Sequence, residues 1–176
     1  MDETDLAVGA HFLENALARF RADEQLGRKA IGQIADDAGL NHTLDPESNS
    51  VAMIVRHMAG NMRSRWTDFL TTDGEKPDRD RDREFEDGFA PGREELMRLW
   101  DEGWGYVFAA VSALEPGDLT RTVTIRGEPH SVVEAITRQL THYAYHVGQI
   151  VFLAKHLRSG EWRSLSIPRT RPGGGS

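Results

Sequence analysis

The chain has 176 residues and contains no cysteine. This absence excludes disulfides, cysteine nucleophiles, iron–sulfur clusters and zinc sites with thiolate ligands. Any bound metal must therefore be held by histidine nitrogen or by oxygen from carboxylates, amides or water.

Long hydrophobic runs and basic blocks are also missing. No apolar run approaches the roughly 20 residues that span a bilayer, and no charged-then-apolar leader follows Met1. We therefore expect a cytoplasmic protein with no membrane partner. The net charge is -7, and no run of consecutive lysines and arginines is longer than two residues. This pattern predicts no nucleic-acid partner.

The hydrophobic pattern indicates a helical protein. Apolar residues recur every three or four positions along most of the chain. The length suits one domain with one core, which we place at residues 1–168, and the glycine-rich tail at residues 169–176 is expected to be disordered. Four long helices are predicted, at residues 5–36, 51–72, 94–114 and 132–158, and they would form a four-helix bundle.

The connections between these helices differ in character. Residues 37–48 have turn composition, and residues 75–92 show no periodicity, which favours a solvated loop over a lid that covers a site. The β-branched run that begins at Thr122 predicts a small β-hairpin. Ser131 and Glu134 then form a capping-box pattern that marks the start of the last helix.

Three histidines are candidate metal ligands. His142 and His146 are four residues apart, so they lie on one face of the last helix and can chelate one ion. His57 borders the apolar face of the second long helix. Three histidines from two helices would leave a coordination position open to water or substrate. A zinc protease is excluded because Tyr143 occupies the position of the catalytic glutamate in the His-Glu-x-x-His motif.

The sequence resembles the DinB/YfiT-like superfamily from about Phe12 to Pro168. The resemblance rests on the segment Val55-Arg56-His57-Met58-Ala59-Gly60-Asn61, the hairpin, and the pair His142-x-x-x-His146 followed by Gly148-Gln149-Ile150. Residues 60–77 and the segment Leu165-Ser166-Ile167-Pro168 further resemble a bacterial subgroup of unknown function.

This resemblance implies an all-α, up-down-down-up four-helix bundle with a small β-hairpin before the last helix. It also implies a divalent transition metal held by His57, His142 and His146. Zinc or nickel is expected, with iron or copper as alternatives, because imidazole binds all four. Homodimers are common in the superfamily, so a homodimer is expected.

Two functions remain open. Some relatives are thiol-S-transferases that activate a low-molecular-weight thiol, which implies a metal-dependent transferase or hydrolase acting on a small molecule. The alternative is a non-catalytic metal-binding or stress-related module with a structural ion. Asn61, Arg65, Gln139 and Arg126 are candidate substrate-binding residues. No general base is evident, so no catalytic residue is assigned.

Overall fold

A computed structural model describes residues 2–168 of the chain, so the predicted tail at residues 169–176 lies outside the described residues. The all-α prediction, with a small hairpin before the last helix, is confirmed. None of the helices in residues 2–168 is both long and apolar enough to cross a membrane. The elements are α1 (Glu3–Ile31), α2 (Asp37–Asn41), α3 (Val51–Trp66), α4 (Arg93–Ser112), β1 (Thr122–Ile125), β2 (Glu128–Ser131) and α5 (Val132–Arg158).

The two middle helices of the bundle, α3 and α4, run in the same direction. Gly103 packs against Ala59, and further along both helices Ala110 lines a common cavity with Trp66. Two parallel neighbours cannot be joined by a tight turn, so a long crossover is needed between them. The segment 67–92 makes this crossover.

The outer helices complete the up-down-down-up order. α5 is antiparallel to α3, because His57 lies near His146 whereas Asn61, further along α3, bonds to Gln139 earlier in α5. α1 and α5 are parallel and pack extensively against each other. Gly9 near the start of α1 meets Leu119, which also bonds to the first turn of α5, whereas Gln33 after the end of α1 bonds to Arg163 after the end of α5. Aromatic rings fill the centre, where Phe20 of α1 contacts Trp66, Trp104 and Tyr143.

Side-chain caps fix the starts of two helices. The Ser50 hydroxyl accepts a hydrogen bond from the Met53 amide at 3.2 Å, which fixes the first turn of α3. Ser131 and Glu134 form the complete capping box at the start of α5. The hairpin places β1 and β2 antiparallel, directly before this cap.

Two predicted helix ends are wrong. α1 ends at Ile31 and not near residue 36, because Asp36 caps a separate short helix, α2, by accepting a hydrogen bond from the Gly39 amide at 2.8 Å. α3 ends at Trp66 and not at Thr72, because Thr67 is extended with ψ 126° and Asp68 is left-handed with φ 48°. Neither conformation can continue a right-handed helix.

Candidate metal centre

Three histidine side chains from two helices converge inside the bundle. His57 lies on α3, and His142 and His146 lie one turn apart on α5. One nitrogen from each ring lies within 4.8 Å of the other two. The Nε2 atoms of His142 and His146 are 3.2 Å apart. The structure therefore brings together the three residues that the sequence pattern selected as ligands.

A buried carboxylate orients the ring of His57. Nδ1 of His57 lies 2.8 Å from Oε2 of Glu84, and the Phe85 ring packs on the imidazole with centroids 4.7 Å apart. An ionised carboxylate can only accept a hydrogen bond, so Nδ1 of His57 is the donor, and in a neutral ring the lone pair then lies on Nε2. This arrangement of carboxylate and histidine is typical of metal sites, where it raises the basicity of the ligand.

Glu84 is itself held in place by Arg79. Nε and Nη2 of Arg79 donate to the two carboxylate oxygens at 2.8 and 2.9 Å, and the two side chains are only 2% and 8% exposed. Burial alone raises the pKa of Glu84, but hydrogen bonds from His57 and Arg79 outweigh it and hold the pKa below its ordinary value. Glu84 is therefore ionised at neutral pH.

The two histidines of α5 have strongly lowered pKa values. Burial, reinforced by His146, His57 and nearby arginines, lowers the pKa of His142 to about 3. Burial also lowers the pKa of His146 to about 4, although the hydrogen bond to Gln149 opposes the shift. Nδ1 of His146 lies 2.9 Å from Oε1 of Gln149. Both rings are thus neutral at pH 7, which is the state that binds metals.

The donor set fits a first-row divalent ion. Three imidazoles converge, and an oxygen accepts from Nδ1 of both His57 and His146, so the Nε2 atoms of these two rings are the nitrogens available to a metal. No fourth histidine, aspartate or glutamate of residues 2–168 joins the cluster. Three protein ligands leave a coordination position that can accept a substrate or water.

A cavity of about 200 Å³ opens beside the histidines. All four predicted substrate-binding residues line this cavity, and Tyr145 lines it as well. No aspartate or glutamate of residues 2–168 lines it. The lining side chains are His57, Asn61, Arg65, Arg79, Arg81, Arg126, Arg138, Gln139, His142 and Tyr145.

Asn61 and Gln139 belong to a buried hydrogen-bond network centred on Tyr143. The Tyr143 hydroxyl donates to Oδ1 of Asn61 at 3.0 Å and accepts from Trp66 at 3.0 Å and from Gln139 at 3.2 Å. Burial raises the pKa of Tyr143, so the phenol stays protonated. The network fixes both amides against the cavity, and it places the Tyr143 hydroxyl with the amides and not with the histidines.

Comparison with known proteins identifies the family. A family model described as "Protein of unknown function (DUF1572)" matches residues 7–171. The chain belongs to the DUF1572 family. DUF1572 is a DinB-like family, so the resemblance to the DinB/YfiT-like superfamily is confirmed.

A solved structure supports the fold of the DUF1572 chain. The crystal structure of a DinB-like protein from Bacillus cereus ATCC 10987 is similar to it with a TM-score of 0.57 and 18% sequence identity. The match covers 81% of this chain and 91% of that chain. No match was found among curated proteins.

The residues that orient the histidines of the DUF1572 chain were not predicted from its sequence. Glu84 and Arg79 lie in the aperiodic stretch that was predicted to be a solvated loop, and that prediction is wrong for these two buried side chains. Gln149 was overlooked as the partner of His146, although its spacing of three residues places it on the same helix face. Gln139, a predicted substrate-binding residue, donates hydrogen bonds to Asn61 and Tyr143.

Proposed function

We propose that this DUF1572 protein binds a divalent transition metal through His57, His142 and His146 and catalyses a reaction of a small molecule. The main observation in support of this proposal is that three ring nitrogens lie within 4.8 Å of one another beside a cavity. Zinc or nickel is the expected ion because of the resemblance to the superfamily, with iron or copper as alternatives, since imidazole ligands suit all four. The homodimer and the cytoplasmic location stay predictions.

The residues of the chain would divide the work in the following way. Glu84 and Gln149 orient two of the imidazoles through Nδ1, which would leave Nε2 of each ring to bind the ion. The bound ion would lower the pKa of a coordinated thiol or water towards neutrality. Asn61 and Gln139, fixed by Tyr143, would orient the substrate with their amide groups.

The cavity offers no carboxylate that could act as a general base. No aspartate or glutamate lines the cavity within residues 2–168, and the nearby Glu84 is occupied by His57 and Arg79. A nucleophile at this site would therefore depend on the bound ion for its deprotonation, which a divalent metal can supply for a thiol and, near neutral pH, for water. The arrangement thus suits a thiol-S-transferase and a small-molecule hydrolase alike.

Metal analysis of purified protein tests the proposed ligands. We expect about one equivalent of metal in the wild-type chain and loss of that metal in the His142→Ala/His146→Ala variant. His156→Ala is the matched control, because His156 is an exposed histidine of the same helix. A double variant that folds and still carries one equivalent of metal would overturn the site.

Turnover separates the enzyme from a non-catalytic module. Zinc-loaded and nickel-loaded protein would be incubated with low-molecular-weight thiols and an alkylating electrophile, and thiol consumption would be followed. Consumption that disappears in the double histidine variant supports the enzyme. Stoichiometric metal without turnover, together with a fourth protein ligand in the loaded protein, supports the structural ion.

A further inference from the structure

The cavity beside the histidines carries an excess of positive charge. Five arginines line it, and no carboxylate of residues 2–168 does. Behind the lining, Glu84 pairs with Arg79, and Glu75 is shared between Arg79, Arg126 and Arg65. A neutral substrate would leave this field uncompensated, whereas an anion would be attracted to it.

Arg65 is the most informative of these arginines. Its side chain is only 3% exposed, and its one ionic partner among the described residues, Glu75, is 3.6 Å away. Nε and Nη1 are buried without a hydrogen-bond partner among residues 2–168. A buried guanidinium with so little compensation costs folding free energy, so its position in the cavity wall indicates a role beyond packing.

A structural arginine in the same protein looks different. The guanidinium of Arg93 donates to the carbonyl oxygens of Ile31 and Ile34 at 3.0 and 2.7 Å, and it thereby ties α4 to the end of α1. Arg65 makes no such bonds to backbone carbonyls within residues 2–168. The N–H groups of the Arg65 guanidinium therefore do not tie two elements of the fold together, as those of Arg93 do.

Arg138 adds a second charge that the fold does not neutralise. It is an exposed residue of α5 and lines the cavity, and no carboxylate of residues 2–168 pairs with it. Its positive charge repels that of Arg65. Two like charges held near one cavity are unfavourable unless an anion lies between them, and arginine forks match the oxygen pairs of carboxylate and phosphate.

We infer that the substrate of this site carries a carboxylate or phosphate group, bound by Arg65, Arg126 and Arg138. The inference rests on the proposed function in one respect, because it names the substrate class of the same site. His57 and His142 line the same cavity, so the anionic group lies next to the proposed metal. The volume of about 200 Å³ holds roughly six water molecules, which suits a phosphate or a short dicarboxylate.

Calorimetric titration of the full-length chain tests the inference with inorganic phosphate and malonate as probes. Each probe is titrated into zinc-loaded and metal-free protein at low ionic strength. Arg138→Gln is the test variant, because the side chain is exposed and its loss leaves the fold intact. Arg98→Gln is the matched control, since it removes the same charge from an exposed arginine of α4.

We expect at least one probe to bind to both forms of the wild-type protein. Arg138→Gln should weaken that binding about tenfold, as expected for the loss of one charged hydrogen bond, and Arg98→Gln should change it by less than about twofold. The tighter probe identifies the anion class. The inference is overturned if neither probe binds, or if Arg138→Gln binds both probes as tightly as Arg98→Gln.

The same titrations distinguish failure of this inference from failure of the proposed metal site. Anion binding to metal-free protein that depends on Arg138, in a chain that takes up no zinc, would support this inference and sink the proposed function. Anion binding only to the zinc-loaded chain, unchanged in Arg138→Gln, would place the anion on the metal and overturn the inference alone.

Discussion

Replacement of Glu84 by glutamine tests whether the crossover segment builds the metal centre. The substitution keeps the shape of the side chain and removes its charge. Glu84 accepts from Nδ1 of His57 through Oε2, and it accepts from Arg79 through both oxygens. An amide has only one acceptor oxygen, so it cannot satisfy all three donors.

The stability cost follows from the burial of Arg79. Loss of one partner of a buried ion pair costs about 3–5 kcal/mol, because the other charge stays buried. Arg79 keeps Glu75 at 3.2 Å, which offsets part of this penalty. We therefore expect Glu84→Gln to lower the free energy of unfolding by about 2–3 kcal/mol.

The effect on metal binding follows from the tautomer of His57. If the nitrogen of the introduced amide faces His57, Nδ1 must become the acceptor and Nε2 takes the proton, which blocks its lone pair. If the amide oxygen faces His57, the amide nitrogen points at a donor of Arg79. Either arrangement weakens the centre, and we expect zinc affinity to fall by about 10–100-fold.

Two measurements with one matched variant check this prediction. Urea unfolding of metal-free protein gives the stability, and competition with a chelator gives the zinc affinity. Glu86→Gln removes the same charge two residues further along, where the carboxylate is exposed and pairs with Arg83 at 3.9 Å. It should change stability by less than about 0.5 kcal/mol. If Glu84→Gln is indistinguishable from Glu86→Gln in both assays, Glu84 does not support the site.

The remaining predictions concern pH and two glycines. His142 and His146 have pKa values of about 3 and about 4 in the folded protein and an ordinary value near 6.5 when unfolded. The unfolded chain therefore binds more protons between these values, and urea unfolding of metal-free protein should show stability falling from pH 7 to pH 5. Constant stability over that range would contradict the lowered values. A methyl group at Gly60 would overlap the Glu84 carboxylate, so Gly60→Ala should lower zinc affinity and cost about 1–3 kcal/mol. Gly105 has no neighbour within 4 Å of a built methyl group, so Gly105→Ala should instead stabilise by about 0.4–1 kcal/mol in thermal unfolding. Equal effects of the two substitutions would refute the role of close approach at Gly60.

The fold was predictable where local signals decide it. The Ser131 capping box and the hydrophobic stripe of α5 follow from nearest neighbours along one helix. The end of α3 was missed because the change of backbone conformation at Thr67 and Asp68 leaves no mark on hydrophobic spacing. A helix end set by local backbone torsions is among the features that periodicity predicts worst.

The candidate site also has residues that the sequence could predict and residues that it could not. The pair His142 and His146 could be found from spacing alone, because both ligands lie on one helix. Glu84 could not, because its partner His57 is 27 residues away and no period connects them. Gly60 is a weak signal that was available, since a glycine one turn after a candidate ligand often permits close approach of another group.

The long crossover is a consequence of the topology, and this explains why it reaches the histidines. α3 and α4 are parallel, so the chain must return along the whole length of α3, about 24 Å for its 16 residues. The contacts follow that return in order. Gly74 bonds to Ser64, Asp78 pairs with Arg63, Glu84 meets His57, and Phe89 lies under Arg56. Because this segment must lie along the histidine-bearing helix, it can bring a carboxylate to His57 without any extra length of loop. A crossover shortened between Glu75 and Glu84 would still join the helices, but it would separate Glu84 from His57.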